Sequence, residues 1–140
     1  MTKRNVLLFL VLTVIIGIVA VAAESLIRGR AERKRQVSYQ DVLRGYTAKF
    51  NPGIERREVE STLANQGRSF QQMCCLINEN RNALEDIVKI GSEPKPWYCS
   101  ENGEYLVFEF DSPVESEYAK AQPSDRLRAI KLSQWLGGCL

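Results

Sequence analysis

Apolar and polar positions divide this chain into an unbroken greasy segment followed by mixed, periodic sequence. From Val6 to Ala23 there are 18 consecutive residues without a charge, interrupted only by Thr13 and Gly17. At the helical rise this run spans about 27 Å, near the hydrocarbon thickness of a bilayer. A single segment can satisfy its backbone in lipid only as a helix. The pattern therefore predicts a transmembrane helix over 5–27, a basic flank over 1–4, a basic juxtamembrane linker over 28–36 and a globular domain over 37–140. Lys3, Arg4 and the small residues Ala20-Val21-Ala22 also fit a cleavable signal, but the apolar run is longer than the usual signal core, so an uncleaved anchor is the favoured reading.

Beyond the anchor, the polar stretch Glu24–Gln36 has one Gly and no Pro, and reads as a linker or as a helical continuation. Ser38-Tyr39-Gln40-Asp41 resembles a capping box with Asp in the Glu position. Tyr39, Val42, Leu43 and Tyr46 follow at helical spacing and predict a short amphipathic helix. Asn51-Pro52-Gly53 is a turn signal. Ile54, Val59 and Leu63 then line one side of a second helix, with Glu55, Arg56, Glu58 and Glu60 expected outward and Asn65-Gln66-Gly67 closing it. Phe70–Ile77 suits either a strand or a helical turn. Asn82-Ala83-Leu84-Glu85 offers a cap for a further short helix ending near Lys89.

The strongest β signal is Asn102-Gly103, a pair suited to a tight type I′ turn, between Trp97–Glu101 and Glu104–Phe110. That register places Trp97, Cys99, Leu106, Phe108 and Phe110 on one buried face. Tyr98, Ser100, Tyr105, Val107 and Glu109 then lie on a face that can meet water. Tyr98, Tyr105 and Val107 are the candidate interface on that face. A last strand, Leu127–Trp135, can pair beside the hairpin, and the loop Asp111–Asp125 is long enough to be mobile. Short helices followed by a three-stranded antiparallel meander give an α+β two-layer domain behind the membrane helix.

Asn51-Pro52-Gly53-Ile54 through Val59 and Leu63, then Trp97-Tyr98, Tyr105–Phe110 and Leu127–Leu132, together resemble the SmpA/OmlA (BamE-like) pattern. The resemblance covers about residues 50–135 and consists of apolar positions rather than a catalytic motif. It implies two helices packed on a three-stranded sheet in the bacterial cell envelope, with a role in binding other proteins. The chain departs from the pattern in having no lipidated Cys, a Cys-containing insertion between helix and sheet, and an ending in Gly137-Gly138-Cys139-Leu140.

Charge sharpens the division. Residues 1–35 hold 7 basic and 2 acidic side chains, leaving 12 basic and 15 acidic of the chain's 19 and 17 for the domain. The domain is thus mildly acidic and carries no nucleic-acid footprint. Arg28, Arg30, Arg33, Lys34 and Arg35 are placed for lipid headgroup contact, since they lie within a Debye length of the surface. By the positive-inside rule these residues would hold the domain in the cytoplasm. Four cysteines without zinc-type spacing favour an oxidising compartment instead, and a periplasmic or other extracytoplasmic domain is the preferred expectation.

Candidate chemistry is sparse. Histidine is absent, which removes the commonest general base and metal ligand. No P-loop, dinucleotide fingerprint or paired metal-binding carboxylate motif occurs. Asp111, Glu109 and Asp125 flank strands and are expected to be solvated. No catalytic residue, cofactor, metal or small-molecule substrate is therefore expected. Cys74, Cys75, Cys99 and Cys139 are candidate disulfide cysteines, with two bridges from the adjacent pair to Cys99 and Cys139 in either order. Buried thiols, a redox-active pair and an all-cysteine metal site are the alternatives. The expected role is a single-pass, membrane-anchored, non-enzymatic binding or scaffolding protein whose partners are the bilayer and another protein. The alternatives are a cytosol-facing protein with a redox-sensing or metal-binding cysteine set, and a secreted domain released by signal cleavage.

Overall fold

The computed structural model describes residues 3–74, 84–111 and 120–139, with side chains described from Leu12 onward except those of Cys74 and Leu84. It contains α1 (Lys3–Lys49), α2 (Arg56–Asn65), β1 (Gln71–Cys74), β2 (Leu84–Ser92), β3 (Cys99–Asp111) and β4 (Arg126–Cys139). The chain divides into two compact units, Met1–Ser38 and Tyr39–Leu140.

In the first unit, the apolar side chains from Leu12 to Ile27 are exposed on every side of the helix. Val14, Ile15, Ile16, Ile18 and Val19 leave no polar face, the pattern of a helix surrounded by something other than water. This helix is long and apolar enough to cross a membrane and lies near the N-terminus. The polar stretch 24–36 continues it as helix, with Arg28 paired to Glu24 across one turn at 3.5 Å. Ser38 does not cap a new helix, because nothing before it breaks the old one and its neighbours stay in helical hydrogen bonding through Lys49.

In the second unit, residues 39–49 of α1 and all of α2 pack on one face of a four-stranded antiparallel sheet, ordered β1-β2-β3-β4. The fold is α+β as expected, but with one strand more. The segment 84–92, expected as helix to Lys89, is β2. Asp86, Val88 and Ile90 alternate with Glu85, Ile87 and Lys89, so a period of two fits where the short cap signal did not. Asn82 and Ala83, on which the cap rested, lie outside the described residues, as do 75–77 of the ambiguous segment and 112–119 of the long loop. Gln71–Cys74 resolves the remaining ambiguity as strand.

Asn102-Gly103 does not turn. It lies inside β3, which pairs with β4 along its whole length, Glu101 opposite Gly137 and Gly103 opposite Trp135. Asn102 donates from Nδ2 to the Pro94 carbonyl at 2.7 Å and accepts from Gln134 Nε2 at 2.9 Å. Gly103 is needed for a different reason: the Tyr105 ring lies where a Cβ at 103 would be. Ladder bonds over a long strand outweigh a two-residue turn preference.

Leu106, Phe108 and Phe110 do share the core face, joined there by Phe50, Val59, Leu63, Val88 and Leu127. Phe50, Tyr46 and Phe108 interlock, with Tyr46 and Phe50 each edge-on to Phe108 at about 6 Å between ring centroids. Trp97 is not in this core. It precedes β3 and is 91 % exposed. Cys99 is buried, but on the opposite face from Leu106. The Asn51-Pro52-Gly53 turn and the closing Gly67 are as expected: both glycines hold positive φ, and Arg68 N reaches back to the Leu63 carbonyl at 2.9 Å.

Candidate functional site

Helical spacing puts Arg56 on the same side of α2 as Val59 and Leu63. The side chain expected to point outward is instead 1 % exposed. Its Nη1 lies 2.9 Å from Asp86 Oδ1, and its Nε lies 3.3 Å from Asp125 Oδ2. The guanidinium carbon sits 4.1 Å from the centroid of the Phe110 ring, a desolvated cation–π contact. Asp125, expected to be solvated, is also buried. Its carboxylate accepts from Gln122 N, and its carbonyl accepts from Arg56 N at 2.8 Å. One cation and two carboxylates thus join α2, β2 and the start of β4 through the core face.

This cluster carries one more carboxylate than cation. Burial pushes the Asp86 carboxyl up to about 7, against the pull of Arg56, and Glu60 and Asp125 add to the rise. An unfolded Asp titrates near 3.9. Between those values the native state holds a proton that the unfolded chain has released, so stability falls as pH rises. Glu85 and Glu104, also raised by burial, act in the same direction, while Glu101, lowered by its hydrogen bond from Lys89, opposes them. We expect the urea midpoint to drop between about pH 4 and pH 7. Asp86→Asn, which mimics the protonated form, should flatten that drop, and an unchanged slope in the variant would remove Asp86 from the account.

The opposite face of the sheet is more closed than expected. Val107, expected at the interface, is fully buried, with Ile87 and Lys131 as its cross-strand partners. Glu85 and Glu109 face each other across β2 and β3, and Lys131 bridges them, with Glu109 its closer partner. Arg128 adds a second cation at 3.7 Å from Glu109. Glu109 is therefore buried and paired rather than solvated. Tyr105 is half-buried, stacked on Trp135 at 4.9 Å, and donates to Glu101 at 3.1 Å. Tyr98 remains exposed beside Trp97, with their rings edge-on at 5.8 Å.

Cys99 and Cys139 are register partners on β3 and β4 and form a disulfide with each other. Neither bonds to Cys74 or Cys75, the partners expected from sequence. Two strands running the full length of the sheet bring the two distant cysteines together, and that pairing was hidden by the supposed turn at Asn102. Cys74 ends β1, and Cys75 lies outside the described residues. Arg28, Arg30, Arg33 and Lys34 are exposed along α1, and Arg35 is half-buried. Among the described residues, no group of three or more His, Cys, Asp or Glu side chains is arranged to hold a metal. No protein-family model, curated protein or solved structure matches the chain.

Proposed function

We propose that this chain is a single-pass membrane protein that displays a non-enzymatic binding or scaffolding domain outside the cytoplasm. The observation that carries the membrane part is the uncovered apolar surface from Leu12 to Ile27. The basic residues from Arg28 to Arg35 follow it at the point where headgroups would lie. The Cys99–Cys139 disulfide supports an oxidising compartment for the domain. Trp97 and Tyr98, exposed on a loop bordered by Pro94 and Pro96, are the kind of aromatic anchor a protein partner buries. The Gly53 turn, the Val59 and Leu63 helix face and the Phe110-ended strand keep a BamE-like envelope domain as our reading of its kinship.

Separation of membranes after an alkaline wash tests this. The intact chain should stay with the vesicles, and added protease should degrade the domain only from the extracytoplasmic side. Release of full-length protein by the wash would overturn the anchor. A second reading has its own support in Ala20-Val21-Ala22 at the end of the apolar run. Finding the mature N-terminus near Ala23 would establish secretion in place of anchoring.

A further inference from the structure

β4 is an edge strand of 14 residues, well beyond the usual strand length of about 5–6. Among the described residues, its outer edge is paired only at the start. Gly53 N donates to the Leu127 carbonyl at 2.7 Å, and Leu127 N donates to Ile54 O at 2.8 Å. From Ala129 to Gly137 no described backbone hydrogen-bonds to that edge.

Exposed edges are normally blunted by charges, prolines or bulges. The bulge of β4 falls before this stretch, opposite Glu109 and Phe110. Between Ala129 and Gly137 there is no Pro, and the one charge is Lys131. Its ammonium is engaged by Glu109 and Glu85 across its own sheet, so it does not guard the rim. Ile130 and Leu132 remain only half-covered on the helix side, and Leu136 is 52 % exposed.

We infer that the edge of β4 pairs antiparallel with β4 of a second copy of this chain, about a twofold axis at Ser133. That register sets Ile130 against the partner's Leu136 and Leu132 against the partner's Gln134 on the helix side. On the other face it sets Lys131 against the partner's Trp135, where the lysine stem can lie on the indole. No two like charges meet. A twofold centred on Lys131 would instead oppose two lysines, which cross-strand pairs disfavour. The pairing satisfies the bare backbone edge and covers the half-exposed apolar side chains in one step. It draws on the proposed anchor in one respect, since copies held in one bilayer have a raised effective concentration.

The test is energy transfer between two differently labelled pools of the full-length chain reconstituted together in vesicles. The unaltered chain should show transfer above a dilution control. Ser133→Lys alone and Ser133→Glu alone each place like charges face to face at the axis, and each should abolish the signal. Mixing the two variants should restore it, which also shows that both are folded. Background transfer for the unaltered chain, persistence in Ser133→Lys, or no recovery on mixing would each overturn the proposal. Vesicle binding is read in the same samples, so failure to pair is distinguished from failure to anchor.

Discussion

Replacing Arg56 with methionine should lower the unfolding free energy by about 3–5 kcal/mol, the usual cost of removing one partner from a buried ion cluster. Methionine would keep much of the packing on Phe110 but leave Asp86 and Asp125 buried with no cation. Urea unfolding of the full chain in detergent measures the change. The loss should be smaller at acid pH, where Asp86 is protonated in either case. Combining Arg56→Met with Asp86→Asn and Asp125→Asn should recover part of it, because much of the penalty belongs to the abandoned carboxylates rather than to the ion pairs. A single substitution costing under about 1 kcal/mol would show that water reaches the cluster.

Loss of the disulfide should rank beside it. Cys99 and Cys139 are separated by 40 residues, and closing a loop of that size restricts the unfolded chain by about 4 kcal/mol in the chain-entropy account. Cys139→Ser should lower the urea midpoint by a matching amount. Reductant should have the same effect on the unaltered chain and little further effect on the variant. If reductant leaves the unaltered midpoint in place, the bridge does not support the fold.

Local periodicity made a good part of this architecture legible. The long apolar helix, the Val59 and Leu63 helix face, the turn at Gly53, the Leu106-Phe108-Phe110 stripe and the last strand all show in short windows, because hydrophobicity runs unbroken or repeats at 3.6 or 2 residues. What escaped was decided over longer distances. Asn102-Gly103 has the composition of a turn, and partner strands on both sides, with Ser92 of β2 and Trp135 of β4 opposite Gly103, keep it extended. The cysteine pairing followed that error.

Arg56 and Asp86 escaped for another reason. Arg56 stands three residues before Val59 and seven before Leu63, on the core side of its helix, and Asp86 stands two before Val88 in a segment expected as helix, so neither was expected to be buried. Their charge argued against it, since isolated ions are almost never buried. Each is buried because the other is there, and complementary ions at core-facing positions of two elements are the signal that would have found the cluster. Val107 reverses the lesson: it is buried on a face read as open, between its cross-strand partners Ile87 and Lys131.

The bond at Cys139 also changes how the molecule would respond to being pulled. Tension entering through Cys139 passes across sulfur directly into the beginning of β3. The terminal ribbon therefore cannot be unzipped one rung at a time from its tip. Both strands lie inside the covalent loop that the bridge closes, so the ladder between β3 and β4 bears none of the load, which runs on toward β2, and a tether or cargo held here would leave that ribbon intact.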